Sequence, residues 1–273
     1  MKYPRRILIL LVTCASGLLV FNLSTWISAS VEAQSSRPNL EGMWSDPPST
    51  TLGDFCFAWC TDTGIDRLNA LLDDPANDAR PFGELSAAAD KYQRENYLRP
   101  RLTEAALKKY PLEPADDPGF LRCEPWGLAR QLFARHQLEI RPRGKDRIEM
   151  RYGEWDAQRT VYLDGRARPA NKLSVMGHSL GRWEGDTLVI ETSGINANLT
   201  SWSIDHSDQL RVVERYTRAK DGDTLLLTAT LEDPVTFREP VVIKKIWRWA
   251  PQHQIAPYVN CERPTEFKRG VRP

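Results

Sequence analysis

The sequence predicts a mainly β protein: an antiparallel up-and-down barrel of eight to nine strands behind an N-terminal helical and irregular extension. Three observations carry this expectation. From His136 onward the chain is a series of short alternating runs, turn residues separate them, and no segment between them has helical spacing of crossover length. Strands that follow one another without crossovers pair as a meander, and a meander loses its exposed edges by closing. A two-sheet sandwich is the competing arrangement.

In chain order, residues 1–33 read as a signal peptide. Lys2, Arg5 and Arg6 precede an apolar run from Ile7 to about Leu23, and Val31 and Ala33 suit the small-residue positions before cleavage after Ala33. The alternative is an uncleaved anchor helix, because the apolar run is near bilayer length. Either reading places the remainder in the periplasm or outside the cell and confines membrane contact to this segment. Removing it takes away Lys2, Arg5, Arg6 and Glu32 and leaves a net charge of about −1. A chain so balanced offers no basic footprint for nucleic acid.

Residues 34–135 are rich in proline, aspartate and alanine, with helical spacing only in 64–72, 85–97 and 103–109. Thr103 before Glu104 suits a helix start. This stretch is expected to form a collar of short helices and loops, in which 39–44 suits a short strand packed on the later sheet.

Residues 136–263 are expected to form the barrel and 264–273 a tail. The alternating runs are 138–141, 147–152, 159–163, 175–183, 187–192, 209–218, 224–232, 241–249 and 255–260. Glu184-Gly185-Asp186-Thr187-Leu188 and Asp221-Gly222-Asp223-Thr224-Leu225 are near copies, which predicts two equivalent hairpins.

Beyond the signal segment four cysteines remain, and an even number in an exported chain favours disulfides. Cys56 and Cys60 are close enough for a short loop, and Cys123 with Cys261 would tie the start of the β region to its end. A zinc site on Cys56 and Cys60 is the alternative, with its other ligands drawn from far along the chain.

Alternation assigns side chains to faces. In the run 175–183, His178 shares a face with Met176 and Leu180, and turning that face inward points the imidazole into the barrel. Through 206–216 one face collects His206, Asp208, Leu210, Val212, Glu214 and Tyr216, while Arg211 and Arg215 take the other. The face without arginines is expected inside. The run 241–249 adds Lys245, Trp247 and Trp249, and an earlier strand adds Met150 and Tyr152. Buried ionisable groups are costly unless paired or hydrated, so this interior implies a polar network or a ligand cavity. The expected cavity is walled by Met176, Tyr152, Lys245, Trp247 and Trp249, with His178, His206, Asp208 and Glu214 as its polar end.

Each residue has an ordinary alternative. His178 suits a hydrogen-bonded structural role, Asp208 a cap on the next strand, Glu214 an arginine partner, Lys245 a barrel rim, and the tryptophans a core. A metal site of His178, His206 and Asp208 or Glu214 has no motif spacing behind it, and no redox-cofactor motif appears, so neither metal nor cofactor is expected. Gly177-His178-Ser179-Leu180-Gly181 lacks the strand-to-helix context of a nucleophile elbow.

The stretch Met176-Gly177-His178-Ser179-Leu180-Gly181-Arg182-Trp183-Glu184-Gly185-Asp186-Thr187-Leu188-Val189 is followed by His206-Ser207-Asp208, Leu210 and Glu214-Arg215-Tyr216. With the Tyr162–Arg166 turn and Cys261-Glu262, this pattern resembles a family of secreted bacterial proteins over roughly residues 120–263. The resemblance implies export and brings no activity with it. The strand arrangement is also similar to lipocalin-like barrels, which include carriers of apolar molecules and enzymes that hydrate, cyclise or isomerise them. That likeness is one of architecture, which does not establish function.

The expected function is an exported lyase or isomerase performing cofactor-free acid/base chemistry, such as elimination, isomerisation or cyclisation, on a hydrophobic or aromatic small molecule. In it, His178 and His206 exchange protons, Asp208 and Glu214 orient them, and Tyr216 donates to a developing oxyanion. The alternative is a non-catalytic periplasmic carrier or sensor of an apolar ligand.

Overall fold

Nine strands close into a barrel whose order around the wall is Gly42–Ser45, Val241–Trp249, Thr224–Glu232, Arg211–Arg218, Thr187–Ser193, His178–Glu184, Gln158–Tyr162, Arg147–Tyr152 and Leu138–Arg143. This computed structural model describes residues 37–45, 47, 51–111, 127–153, 157–167, 172–199 and 204–255. The strands are β1 (Gly42–Ser45), β2 (Leu138–Arg143), β3 (Arg147–Tyr152), β4 (Gln158–Tyr162), β5 (His178–Glu184) and β6 (Thr187–Ser193). After a separate two-stranded ribbon, β7 (Asn198–Leu199) with β8 (Asp205–His206), come β9 (Arg211–Arg218), β10 (Thr224–Glu232) and β11 (Val241–Trp249). The two near-copy sequences form the β5–β6 and β9–β10 turns, with Gly185 and Gly222 at positive φ.

Two features depart from a simple meander. First, closure comes from β1, where Trp44 stands opposite Trp249 of β11 and Leu138 of β2. Of the run expected at 255–260, Ile255 lies outside any strand, and 256–260 are not among the described residues. Second, β4 and β5 run parallel and pair only at Val161↔Ser179 and Tyr162↔Leu180. Ser174, held to Gly194 and Asn196 by backbone hydrogen bonds, brings the chain back before β5 begins. The barrel is therefore mixed, and the first half of β4 pairs with β3 while β5 has not yet started.

The barrel interior is built from alternate residues. Leu188, Ile190, Val212, Tyr216, Leu227, Leu231, Ile243 and Trp247 are buried within one apolar cluster. Burial of each large apolar side chain contributes about 1.5–3 kcal/mol, so this face sets the register.

Outside the barrel, helices α1 (Thr51–Cys56), α2 (Asp62–Leu72) and α3 (Phe82–Gln93) enclose a smaller core of Phe55, Leu68, Leu71, Leu85 and Ala89. The Cys56–Cys60 disulfide lies within it. Thr61 caps α2 by accepting the Gly64 N–H at 3.1 Å, and its own N–H donates to Gln93 Oε1 at 2.9 Å. Gly64 is needed there, because a Cβ would stand 2.1 Å from that Gln93 oxygen. This core is joined to β11 by reciprocal backbone hydrogen bonds between Cys60 and Lys244. Two short helices, α4 (Glu104–Leu107) and α5 (Leu128–Gln131), add Ala106, Leu128 and Ala129 to the barrel cluster. Among the described residues no helix is long and apolar enough to cross a membrane. Cys123 and Cys261, expected as a second disulfide, lie outside the described residues.

Candidate functional site

Glu214 and Tyr216 point into the barrel, as alternation along β9 requires, and both are fully buried. Their partner is an arginine from across the barrel. Arg159 of β4 donates from Nη1 and Nη2 to the two Glu214 carboxylate oxygens at 2.7 and 2.5 Å, and Tyr216 Oη donates to Glu214 Oε2 at 2.8 Å. The Ser179 and Thr192 hydroxyls lie within 3.5 Å of Arg159 Nη1, and Met150 Sδ lies 3.3 Å from Nη2. Burial alone would weaken the guanidinium charge, but Glu214 more than restores it and raises the Arg159 pKa. Burial and the adjacent Glu214 charge push the Tyr216 phenol well above its usual range, and burial likewise raises Tyr152. Both phenols stay neutral at pH 7. The carboxylate is thus occupied by a two-point arginine contact and a phenol, an arrangement that suits a fixed ion pair.

Arg159, Ser179 and Thr192 were not among the expected site residues. Arg159 was legible, since it shares strand parity with buried Val161.

His178 does not point into the barrel. Ser179 is the inward residue, buried against Thr192 at 2.8 Å, and its neighbours in the inward series are the half-buried Gly181 and Trp183. The expected parity relied on Met176, but Met176 precedes β5 and is separated from it by Gly177, whose φ of +68° turns the chain. A Cβ at Gly177 would also lie 2.7 Å from Ile195 and Thr192 side-chain carbons. Ser179 and Gly181 are small where bulky neighbours crowd the inner face of β5; a Cβ at Gly181 would stand 2.7 Å from Val161 and 2.8 Å from Leu163. His178 is half-buried on the outside, with Nε2 3.2 Å from the Arg166 carbonyl and its ring stacked on Tyr162 at 5.3 Å.

His206 and Asp208 are also displaced from the expected cluster. His206 belongs to the β7–β8 ribbon, and the turn through Asp208 and Gln209 breaks the face count before β9. The His206 imidazole is buried, with Nδ1 3.0 Å from the Ser207 carbonyl and its pKa lowered by burial. Asp208 is exposed. Among the described residues no hydrogen bond, ion pair or ring contact joins His178, His206 and Asp208.

The expected cavity wall is mostly solid core. Trp247 is buried, stacks on Tyr216 at 6.4 Å and donates Nε1–H to the His136 carbonyl at 3.1 Å. Tyr152 is buried with it, and Trp249 packs edge-on against Trp44 at 5.1 Å. Lys245 is fully buried, donates to the Ala134 carbonyl at 2.5 Å and lies 4.3 Å from the Trp247 ring. Burial, reinforced by Arg135, pushes its pKa well below the usual lysine range. His136, unforeseen in the sequence, is held near the carbonyls of Gln137 and Gln131 and has its pKa pushed down to about 3 by burial and by Lys245.

The accommodating space lies elsewhere. Where β4 runs ahead of β5, a groove of about 510 Å³ opens between β3, β4 and the segment entering β5. Met150, Arg159, Tyr162, Met176, Gly177 and His178 all line it. The Tyr162 ring contacts both His178 and the Arg166 guanidinium, the latter at 4.3 Å. Of the expected site residues, the groove gathers His178 and Met176. A smaller recess of about 350 Å³, lined by Leu180, Glu191, Thr192, Ser193 and Arg211, also borders His178. Among the described residues no group of three or more His, Cys, Asp or Glu could hold a metal ion.

Comparison of the whole chain with protein-family models and with curated proteins finds no match.

Proposed function

We propose that the protein is an exported, non-catalytic carrier or sensor that receives its small molecule in the groove beside His178 rather than in the barrel interior. The groove itself carries this reading. Its volume of about 510 Å³ suits a small organic ligand. The interior expected to hold a proton-transfer cluster instead contains the Arg159–Glu214 pair, with the carboxylate engaged by Arg159 and Tyr216 among packed apolar side chains. Met150, Met176 and the Tyr162 ring supply adaptable apolar contact. Export is supported by the buried Cys56–Cys60 disulfide.

Methionine methyl NMR on the mature chain, titrated with a set of aromatic and alicyclic compounds, tests this. A ligand should shift Met150 and Met176, leave Met43 on β1 in place, and emerge unchanged. Shifts that bypass Met176 would overturn the groove as the site.

A second reading makes the protein a cofactor-free lyase or isomerase acting on the same class of molecule, with His178 as its acid/base group. It is favoured by the imidazole lining the groove. Conversion of a bound compound that stops in His178→Ala would establish it in place of the carrier.

A further inference from the structure

We infer that the occupant of the groove is a small organic anion, a carboxylate bearing an apolar or aromatic body, and that Arg159 supplies the donor at its inner wall. The inference rests on the binding reading above and adds the charge of the ligand to it.

The first support is the balance of charge. Arg141, Arg151, Arg159, Arg166 and Lys172 line the groove, against Glu149. The whole chain is close to neutral, so this concentration of cations is local. Arg141, Arg159 and Arg166 have acidic partners that lie outside the lining. Arg141 meets Glu139, and Arg166 meets Asp164 and Asp146, all at exposed guanidinium groups. Exposed pairs of this kind are weak and screened, and a ligand carboxylate can exchange with them at little cost. Arginine and lysine are donors without acceptors, so the complementary ligand is one rich in acceptors. A cationic ligand is repelled.

The second support is Arg159. Its side chain is only 2% exposed, yet the residue lines the groove. Glu214 takes the guanidinium end-on through Nη1 and Nη2, and Met150, Ser179 and Thr192 surround the remaining hydrogens of those nitrogens. The side edge is left: Nε–H is buried and makes no hydrogen bond within 3.5 Å among the described residues, the Tyr152 hydroxyl being the protein oxygen that interacts with this arginine. Buried donors in native proteins are nearly always met, by protein, water or ligand. An oxygen entering from the groove would meet this one. An apolar occupant would leave it bare.

The test uses the mature protein and three probes of similar shape: benzoate, neutral benzamide and benzylammonium. Binding is followed by the backbone amides of Gly177 and His178 and by the arginine Nε–H signals. Benzoate should shift both amides and the Arg159 Nε–H, and bind about tenfold more tightly than benzamide; benzylammonium should not bind. Lys172→Glu, at an exposed side chain, should weaken benzoate by about tenfold at low salt, whereas Lys220→Glu in the exposed β9–β10 turn should not. Should benzamide bind in the groove as tightly as benzoate, or Lys172→Glu leave the benzoate affinity unchanged, the anion inference falls while the binding reading stands. Benzoate binding without movement of Arg159 Nε–H removes the role given to Arg159. If no probe moves Gly177 or His178, the binding reading and the inference fall together.

Discussion

Arg159 and Glu214 meet inside the barrel through two parallel hydrogen bonds of 2.7 and 2.5 Å, with side chains 2% and 0% exposed. The pair joins β4 to β9, strands on either side of the β5–β6 hairpin in the barrel order. It thus ties the wall bordering the groove to the opposite side of that hairpin. A pair so deeply buried gains attraction but loses hydration, and the two terms nearly cancel. Its removal from one side only leaves a charge without compensation.

Glu214→Gln is therefore expected to destabilise the protein by about 3–5 kcal/mol, because Arg159 keeps its buried charge and loses its counterion. The joint replacement Arg159→Met with Glu214→Leu should recover most of that loss. Urea unfolding of the two variants decides; a double variant as unstable as Glu214→Gln would mean that packing, not charge, governs the site.

Lys245→Met should raise stability. The Lys245 amino group is fully buried, has one carbonyl partner, and has its pKa held well below the usual lysine range by burial and by Arg135. A thioether of similar volume carries no such penalty, and a gain of about 1–2 kcal/mol at pH 7 is expected from thermal unfolding. A loss of stability would show that the Nζ hydrogen bond to Ala134 outweighs the desolvation of the amine.

Acid should weaken the fold through His136. Its folded-state pKa of about 3 lies below the ordinary value of 6.5, so the unfolded chain takes up this proton first as pH falls. The contribution of the neutral imidazole is complete above about pH 6.5 and is lost as pH drops toward 3, at about 1.4 kcal/mol per unit. His206, lowered by burial, acts in the same direction. Chemical denaturation between pH 7 and 4 should show a slope that flattens in His136→Phe. An unchanged slope would assign the acid sensitivity to carboxylates.

Gly177→Ala should disturb the groove more than its size suggests. A β-carbon there meets the Ile195 and Thr192 side chains and the Ser193 carbonyl, on a backbone with φ of +68°. A destabilisation of about 1–3 kcal/mol is expected, with displacement of His178 from Tyr162. The His178 ring shifts in NMR report the second effect.

Much of the barrel was legible because its strands are long and alternate cleanly. Along β9, Val212, Glu214 and Tyr216 are buried while Arg211 and Arg215 are exposed, as the pattern demands. Two features of the barrel, its closure by β1 and the parallel contact beside the groove, were less legible, since each depends on distant partners. β1 has only four residues and becomes a strand by filling the gap between β11 and β2. The parallel β4–β5 contact is decided by the route between Tyr162 and His178, which no local alternation records. At the site, the face count failed wherever a turn interrupted it, at Gly177 before His178 and at Asp208–Gln209 after His206. Arginine on a strand was treated as a sign of the outer face, which hid Arg159 despite its alternation with Val161.

The two histidines, which the sequence pattern groups together, should behave independently. His178 lines the groove and contacts Tyr162 and the Arg166 carbonyl, whereas His206 contacts Ser207 in the ribbon held by Asp233. They share no partner, and changes at sites without shared partners add. His178→Ala is expected to weaken a groove-bound ligand by about tenfold with a stability loss below about 1 kcal/mol, because the ring is half-buried. His206→Ala should leave affinity unchanged and lower stability by about 1–3 kcal/mol, since it empties a buried position beside the ribbon. Ligand titration and urea unfolding of both single variants and the double variant measure the coupling. A coupling energy above about 0.5 kcal/mol in binding would return the histidines to one site and revive the proton-transfer mechanism.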